Sequence, residues 1–572
     1  MTNQEHRAQT ILAIDFGAAT TRANLFDVVE GVYRHIATGE APSTFGAPYR
    51  DVLEGLRHAL EDIQAVTGRR LYSDQNPIIS PVDPDGHGVD LVTATSSGGP
   101  ALRAVLVGLL PQFSLAAAAR ATEGAHLQIV ETLSLTDGRT PQQQLDAVYR
   151  ARPELIVFAG GKDDGARESV LRLTETIGLA CYRLGGGERQ VVYAGNAALK
   201  DKVSSLLSTI ADVHIAPNVQ PTLGAVTTLS AGQELARATI AARAGSIGGL
   251  REMAAYSQGR LLPTAQAAGV LLQFMSKGTT PWRRILYADV GSQSTAVIAA
   301  IDGKLNLRVD PDLGVGLSAA ATLRSEGLEA FARWLPGEPA VDAIRDFVET
   351  KSRVAPHTVP VNADDLYAEA ALARAALRGS LRRARGITNR HDLIIGGGAT
   401  LANTPHPGLA ALILLDALNP VGATLLMLDR HHLVPTLGAT AYFNPLAPVQ
   451  VLENGGLLTL GTALSLGTTG RATSALAHGK LTDEDGGTVD FEITAGVLKT
   501  LPLSAGRSAR LTVKPRRDVD AGAGPGRAVN TRVLGGSLGV VLDGRGRPCQ
   551  PPTDPAERAE ALQTWMHALT EG

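Results

Sequence analysis

A stretch near the amino terminus recurs after residue 280, and this repeat constrains the fold more than any other feature. Residues 11–27 read ILAIDFGAATTRANLFD, and residues 285–305 read ILYADVGSQSTAVIAAIDGKL. Each copy has an aliphatic run, then Asp-x-Gly, then small hydroxyl-bearing residues and a second apolar run. This pattern is typical of a β-hairpin with glycine in its turn. The two copies, here called the first and second hairpins, predict two duplicated domains.

The turn of each hairpin has the composition of a loop that binds phosphate. Glycine lets backbone amides approach an anion closely, and Ser or Thr hydroxyls add further donors. Asp15 and Asp289 each stand at the end of a strand. A carboxylate there would repel a phosphate, but it can bind a water molecule that is coordinated to a cation. A single Asp-x-Gly after a strand usually marks an ordinary turn. The second copy, with matching strands, favours two domains that clamp one polyphosphate.

A third segment extends this hypothesis. Residues 391–401, HDLIIGGGATL, read as a buried strand that runs into three glycines and then into a helix. A backbone without side chains leaves room for the sugar or base of a nucleotide. The glycine run, residues 396–398, is therefore a candidate nucleoside site.

These three segments, in this order, resemble the actin-like ATPase superfamily of actin, the seventy-kilodalton heat-shock chaperones and the acetate and sugar kinases. The resemblance implies that the hairpins bind the phosphates of Mg-ATP or Mg-ADP and that the glycine run binds adenosine. It implies that Asp15 and Asp289 act on Mg²⁺ through water, as catalytic and metal-orienting residues. The other implied nucleotide-binding residues are Gly17, Thr20, Thr21, Gly291, Ser292, Ser294, Thr295, Gly396, Gly397 and Gly398.

The first hairpin departs from this pattern. Ala18 and Ala19 stand where a hydroxyl is often found, which argues against fast hydrolysis but not against binding. We expect at most a slow ATPase.

Length and composition set broad limits. A chain of 572 residues has room for three or four domains. A net charge of −3 gives no reason to propose a nucleic-acid surface. The two cysteines, Cys181 and Cys549, form neither a disulfide framework nor a metal-ligand spacing. The polar start is unlike a signal peptide and the apolar windows contain charges or proline, so a soluble cytoplasmic protein without a membrane span is expected.

The order of apolar runs and turn signals predicts the organisation. Strand-like runs at residues 126–135, 154–160, 190–195 and 212–217 alternate with helix-like runs, of which the first is residues 99–120. This alternation predicts a parallel, doubly wound unit. We expect an actin-like subdomain with the first hairpin in residues 1–97 and an inserted α/β domain in residues 98–220. A second actin-like subdomain follows in residues 221–450, and a β-rich C-terminal domain in residues 451–572. The fold class is thus α/β, a duplicated actin-like, ribonuclease H-like core with two additions.

A larger set of segments is similar to one branch of this superfamily, the glutamate mutase L family of methylaspartate mutase accessory proteins. The segments span nearly the whole chain: DFGAATTRANLFD, TATSSGGPALRAV, FAGGKDDG, YAGN, DVGSQSTA, LIIGGGATL, LDRHHLVPTLGA and the tail DAGAGPGR with LDGRGRP. Ala296 departs from the family pattern, because in that family an aspartate often follows the threonines of the second hairpin.

The family resemblance implies an accessory protein for an adenosylcobalamin-dependent mutase, with mutase subunits as partners. Its expected role is that of a chaperone or reactivating factor driven by nucleotide-dependent domain closure. Three alternatives stay open: a small-molecule kinase, a nucleotide-binding scaffold that does not hydrolyse ATP, and a ligand-binding protein centred on the inserted domain. The kinase is disfavoured because residues 93–99 contain no aspartate or glutamate to act as base.

Overall fold

The computed structural model describes residues 8–185, 189–222, 224–278, 281–354, 356–468 and 475–570. The chain divides into two compact units. The insert-bearing unit comprises Ile11–Ala23 and Gly39–Gln266, and the C-terminal unit comprises Met1–Thr10, Asn24–Thr38 and Ala267–Gly572. The domain boundaries that we predicted from the sequence stay predictions.

The first sheet is built around a fully buried aliphatic strand. Its first elements are β1 (Ile11–Phe16), β2 (Thr20–Val29), β3 (Val32–Pro42), helix α1 (Val52–Thr67) and β4 (Leu91–Ser96). All of β1 is buried, as expected for a central strand in a sheet covered on both faces. Helix α1 is capped at its N-terminus by Asp51, whose side chain accepts from the Leu53 amide, and at its C-terminus by Gly68 in the left-handed conformation.

A second, all-parallel sheet follows in the chain. Its elements are β5 (Leu102–Gly108), α2 (Ala116–Thr122), β6 (Leu127–Leu133), α3 (Pro141–Ala151), β7 (Leu155–Ala159), α4 (Glu168–Arg183), β8 (Gln190–Tyr193), α5 (Lys200–Leu207) and β9 (Asp212–Ile215). The strand order is β6-β5-β7-β8-β9, with every pair parallel. The predicted doubly wound α/β unit is therefore confirmed, and this sheet is called the inserted sheet below.

One predicted helix is wrong. Residues 99–120 do not form a single helix, since β5 occupies Leu102–Gly108 and a π-helical turn, Pro111–Leu115, precedes α2. The apolar run of β5 is buried between its parallel neighbours β6 and β7. A short buried strand cannot be told from a buried helix by periodicity alone, because both are continuously apolar.

The insert-bearing unit continues with α6 (Leu229–Ala244), α7 (Leu250–Tyr256), the short strand β10 (Leu262–Pro263) and the start of α8 (Thr264–Lys277). Strand β10 pairs with β4, so the first sheet has the order β10-β4-β1-β2-β3. Strands β2 and β3 contribute residues to both units.

The C-terminal unit repeats this plan. Its next elements are β11 (Arg284–Val290), β12 (Thr295–Ile301), β13 (Lys304–Asp310), α9 (Ala319–Glu326), α10 (Leu328–Ala332), α11 (Val341–Arg353), α12 (Ala363–Arg383), β14 (Leu393–Gly397), α13 (Ala399–Ala402), α14 (Pro407–Leu418), β15 (Gly422–Leu428), α15 (Leu433–Thr440), α16 (Leu446–Glu453) and β16 (Leu458–Ser465). The order β13-β12-β11-β14 matches β3-β2-β1-β4 of the first sheet. The duplication predicted from the two hairpins thus holds for the strand order as well.

The end of the chain is rich in short strands, as predicted. It contains β17 (Gly467–Thr468), β18 (Ala475–Asp483), β19 (Thr488–Thr494), β20 (Leu498–Leu501), β21 (Ser508–Pro515), β22 (Val519–Asp520), β23 (Val529–Leu534), β24 (Val540–Asp543) and α17 (Pro555–Thr570). Strands β19-β18-β21-β23 form a sheet of their own, whereas β24 and β20 extend the large sheet beyond β15 and β16. Among the described residues, every helix is too short or too polar to cross a membrane.

A buried charge network joins this last segment to the helices of the C-terminal unit. Asp416, on the wholly buried helix α14, accepts from Arg374 and Arg545 at 2.8 Å each. Asp543 accepts from Arg545 at 2.8 Å and from Arg547 at 2.5 Å. Burial alone would raise the pKa of Asp543, but the charges and hydrogen bonds of the two arginines outweigh it and hold the pKa well below its usual value.

We expect Asp543→Ala to lower the free energy of unfolding by about 3–5 kcal/mol, because it leaves the buried Arg547 without its carboxylate partner and Arg545 with that of Asp416 alone. Urea denaturation followed by circular dichroism measures this. The pKa of Asp543 is lower in the folded protein than in the unfolded chain, where it is about 3.9. Its contribution to the free energy of unfolding is therefore fully present above the unfolded-state pKa and is lost as the pH falls towards the folded-state pKa.

The matched control is Asp485→Ala, which removes a carboxylate from an exposed ion pair with Arg507. It should change the free energy of unfolding by less than about 1 kcal/mol. Equal effects of the two substitutions would contradict a stabilising role for the buried network.

Candidate functional site

The aspartate of the first hairpin is buried and held by hydroxyl groups. Asp15 is the penultimate residue of β1 and is 1% exposed. Its Oδ1 accepts hydrogen bonds from Thr95 Oγ1 and Thr264 Oγ1, each at 2.6 Å. Thr95 lies on β4 directly opposite Asp15, and Thr264 begins helix α8. The carboxylate is thus fixed by two neighbouring elements.

The turn of the first hairpin is closed by its own backbone. The Gly17 amide donates to the Thr20 carbonyl at 3.0 Å. A Cβ on Gly17 would lie 2.6 Å from that carbonyl oxygen, so the turn requires glycine. Thr21 is buried and faces helix α1, where its Oγ1 lies 3.1 Å from the position that a Cβ on Gly55 would take.

The second hairpin repeats this geometry in the C-terminal unit. Asp289 is the penultimate residue of β11 and is half-buried. The Gly291 amide donates to the Ser294 carbonyl at 2.9 Å, as Gly17 does to Thr20. Thr295, which corresponds to Thr21, is also fully buried. In both threonines the buried Oγ1 has no hydrogen-bond partner among the described residues.

Ser292 differs from its counterpart Ala18, and its hydroxyl is already engaged. Its Oγ accepts from the Leu317 amide at 3.0 Å and donates to the Pro356 carbonyl at 3.3 Å. Its carbonyl accepts from the amides of Gly316 and Ser318. Ser292 therefore anchors the loop after β13 against the turn, a role that the sequence did not reveal.

The glycine run and the second hairpin lie side by side. Strand β14 pairs with β11 in parallel, which places Gly396 opposite Ala288 and Gly397 opposite Asp289. Gly398 has φ +90°, and a Cβ there would lie 2.1 Å from the Val290 carbonyl oxygen and 2.8 Å from Asp289 Oδ1. The structure thus brings together two of the three predicted segments, with Gly398 close to the end of β11.

The same register has a counterpart in the insert-bearing unit. Thr95 stands opposite Asp15 as Gly397 stands opposite Asp289. By this register Ala94 and Thr95 of the TATSSGG segment are the positional equivalents of Gly396 and Gly397. Sequence reasoning missed Thr95 and Thr264 as partners of Asp15. The available signal was Pro263 followed by a threonine that opens a helix.

The aspartate of the LDRHHLVPTLGA segment has a structural role. Asp429 is buried at the end of β15, and its carboxylate accepts from the amides of Leu433 at 2.6 Å and Val434 at 2.8 Å. Its own amide donates to the Gly396 carbonyl at 2.8 Å. Asp429 therefore caps helix α15 and fixes the backbone of the glycine run.

A cavity of about 350 Å³ lies between helices α11 and α12. Its lining includes Phe347, Val359 and the buried pair Lys351–Glu369. Lys351 Nζ also donates to the Thr358 carbonyl at 2.6 Å, and Glu369 Oε1 accepts from Thr400 Oγ1 at 2.9 Å. Thr400 belongs to helix α13, which follows the glycines in the chain, so the hydrogen bonds at the cavity wall extend to the helix after the glycine run.

The described residues contain no cluster of three or more His, Cys, Asp or Glu side chains that could bind a metal by themselves. Mg²⁺ that enters with nucleotide phosphates keeps several waters and needs only one or two protein carboxylates. The single aspartate of each hairpin fits that requirement.

A model of the MutL protein family matches residues 11–455. This chain belongs to the MutL protein family. The resemblance to the glutamate mutase L family drawn from the motifs is thereby confirmed. Protein MutL of Clostridium tetanomorphum is 21% identical over 489 residues, which cover 77% of this chain and 98% of that protein.

Two solved structures show a more distant likeness. Acetone carboxylase in its nucleotide-free structure has a TM-score of 0.35 and 11% identity, covering 86% of this chain and 81% of its own. Gluconate kinase from Lactobacillus acidophilus has a TM-score of 0.30 and 11% identity, covering 80% and 93%. Both TM-scores are too low to support an argument about fold or function.

We expect Gly398→Ala to destabilise the C-terminal unit by at least about 3 kcal/mol, since the new Cβ would overlap the Val290 carbonyl and φ is +90°. The control is Gly455→Ala, where φ is +83° but nothing lies within 4 Å of the added Cβ. It should cost about 1–2 kcal/mol, from the backbone conformation alone. Urea denaturation of both variants measures the difference, and equal losses would contradict the close approach of the two segments.

Proposed function

We propose that this MutL family member binds Mg-ATP or Mg-ADP and acts in the cytoplasm as an accessory protein that reactivates an adenosylcobalamin-dependent mutase of the glutamate mutase type. The observation that carries the nucleotide part is the close approach of Gly398 to Asp289, where an added Cβ would lie 2.8 Å from Asp289 Oδ1, because it sets a phosphate-type turn beside the glycine run. Family membership supports the accessory part.

In this proposal the turn glycines let the backbone of both hairpins approach phosphate oxygens. Asp15 and Asp289 orient water on Mg²⁺, which neutralises phosphate charge when bound. Thr20, Thr21, Ser292, Ser294 and Thr295 shape the two turns. The hydroxyl of Thr21 packs towards α1, so we assign it to the support of the turn and the phosphate contacts to backbone amides.

The nucleoside would lie along Gly396, Gly397 and Gly398 and reach the cavity beside α12. Phe347 and Val359 offer apolar surface to a base, and Glu369 offers an acceptor close to the glycine run. The cavity volume of about 350 Å³ is within the range of small-molecule sites.

Nucleotide binding can change how the protein acts on a partner only if the nucleotide binds two conformations of the protein with unequal affinity. A nucleotide that contacts hairpins from both units would favour the arrangement in which both contacts form, and a mutase subunit could distinguish the arrangements. This is the basis on which we propose nucleotide-driven domain closure as the working step.

A second candidate function is nucleotide binding without hydrolysis, as in a scaffold or assembly protein. Asp15 Oδ1 already accepts from two threonine hydroxyls, which holds the carboxylate in place and limits its freedom to act on a water molecule. Ala18 and Ala19 add no donor. This candidate predicts saturable binding with no phosphate release.

We expect Asp289→Asn to weaken Mg-ADP and Mg-ATP binding by tenfold or more in calorimetric titration, because the charge that orients Mg-bound water is removed while the shape is kept. The control is Asp302→Asn, a carboxylate in the exposed turn between β12 and β13 of the same unit, which should leave affinity unchanged.

Equal losses in the two variants, or no nucleotide binding by the unaltered chain, would refute a nucleotide site at the second hairpin. Titrations without magnesium separate an effect of Asp289 that is exerted through Mg²⁺ from a direct effect of its side chain on the nucleotide. If Asp289 acts through Mg²⁺, its substitution should matter much less without the metal.

The accessory role is tested with inactivated adenosylcobalamin-dependent glutamate mutase. We expect this protein with Mg-ATP to restore mutase turnover, and Asp289→Asn to restore it poorly while Asp302→Asn restores it fully. Nucleotide binding without any effect on the mutase would reject the accessory role and favour the scaffold candidate.

A further inference from the structure

We propose that the outer edge of strand β19 (Thr488–Thr494) binds an extended segment of a partner protein in which basic and apolar residues alternate. Strand addition at this edge is independent of the proposed nucleotide site. Three features of β19 point to such a partner: an unpaired backbone edge, a half-exposed apolar side chain and two carboxylates at alternate positions.

The backbone of β19 is paired on one side. The strand lies at one edge of the sheet β19-β18-β21-β23 and pairs with β18. Within the part of the chain that the structure describes, the backbone groups of Thr488–Ile493 form hydrogen bonds only in that pairing. In a strand paired on one side, every second residue directs its N–H and C=O away from the sheet. Another extended backbone offers the complementary groups, so an added strand can pair with this edge.

The opposite edge of the same sheet is partly closed. Leu534 ends β23, and a side chain of β16 binds both of its backbone groups. The Leu534 amide donates to Thr462 Oγ1 at 2.9 Å, and its carbonyl accepts from the same hydroxyl at 3.0 Å. Strand addition is therefore expected at β19 rather than at β23.

Strand β19 is regular along most of its length. Its sequence, TVDFEIT, contains neither proline nor lysine, which commonly prevent an edge from pairing. The register with β18 shifts only between Ala475 and Ala477, opposite the end of β19. The regular part, Thr488–Ile493, is long enough to pair with a strand of about 20 Å at ~3.4 Å per residue.

The core-facing side of β19 is incompletely covered. Phe491 and Ile493 are buried in the core of the C-terminal unit, whereas Val489 on the same side is 42% exposed. Val489 stands opposite the buried Leu481 of β18. An apolar residue on an added strand would cover Val489 from the outer side as Leu481 does from the inner side.

The solvent-facing side of β19 selects the charge of the partner. Asp490 and Glu492 lie on this side at alternate positions, opposite Lys480 and His478 of β18. On the other side of β19 the described sheet has no strand to neutralise them. Opposite charges directly across a strand pair are favourable and like charges are unfavourable. The added strand should therefore carry lysine or arginine at these two positions.

The same two carboxylates disfavour other occupants. A second copy of β19 would bring the carboxylates of both copies onto one face of the joined sheet. Nucleic acid and an anionic membrane surface are repelled by Asp490 and Glu492, and neither offers an extended peptide backbone. The occupant that satisfies the backbone, Val489 and the carboxylates together is an extended polypeptide in which basic and apolar residues alternate.

The test follows the fluorescence anisotropy of a labelled peptide of alternating lysine and valine, as long as β19, when the full-length protein is added. Two further peptides carry N-methyl groups on either the lysine amides or the valine amides. We expect the unmodified peptide to bind at one site. We expect one methylated peptide to bind at least tenfold more weakly than the other, because only alternate amides of an added strand donate to β19.

The variant Asp490→Lys/Glu492→Lys reverses the charge of the edge. It should bind the lysine peptide at least tenfold more weakly than the unaltered chain, and it should gain binding of a matched peptide with glutamate in place of lysine. That gain also shows that the variant is folded. The matched control, Glu338→Lys/Asp342→Lys, reverses two exposed carboxylates elsewhere in the same unit and should leave both affinities unchanged.

Equal affinities of the two methylated peptides would overturn the proposal, since attraction between charges alone does not depend on which amides are blocked. Failure of the lysine peptide to bind, or equal losses in the two lysine variants, would also overturn it. Self-association of the full chain that Asp490→Lys/Glu492→Lys abolishes, observed by sedimentation without any peptide binding, would replace the partner protein by a second copy of this chain.

Discussion

Parallel pairing of the first strand with the fourth in each sheet is the constraint on which the rest of the site depends. In both halves this register sets the penultimate residue of the first strand opposite the end of the fourth, so Asp15 meets Thr95 and Asp289 meets Gly397. A shift of one residue would turn the side chains of the strand to the other face of the sheet. The hairpin turn and the glycine run could then no longer face one another.

The two halves have diverged around this shared register. In the insert-bearing unit, hydroxyls from Thr95 and Thr264 satisfy Asp15 and close the strand end. In the C-terminal unit the position equivalent to Thr95 is Gly397, so Asp289 stands opposite a residue that has no hydroxyl to donate. The two copies therefore share a register but differ in the residue that faces the aspartate. A symmetric duplicated site would not need this difference.

The elements that repeat were predictable from the sequence, because a repeated motif identifies strands, turn and register together. The parallel inserted sheet was predictable from alternation alone. The β5 strand was not, since a short apolar run fits a buried helix equally well. Nor was the pairing of Lys351 with Glu369, because it joins two helices whose packing is set by the tertiary fold. Arg390 is similar: it donates to Asp520 across 130 positions and ties down the DAGAGPGR turn, which had no visible partner in the sequence.

The division of the chain between the units has a consequence for its synthesis. Asn24–Thr38 belongs to the C-terminal unit, whose next residue is Ala267. At translation rates of roughly 5–20 residues per second, this β-segment emerges about 10–45 seconds before the rest of its unit. During that interval its apolar side chains lack most of the unit in which they finally pack. Until then the hairpin of β2 and β3 has as its sheet partner the neighbouring strand β1, which is translated just before it.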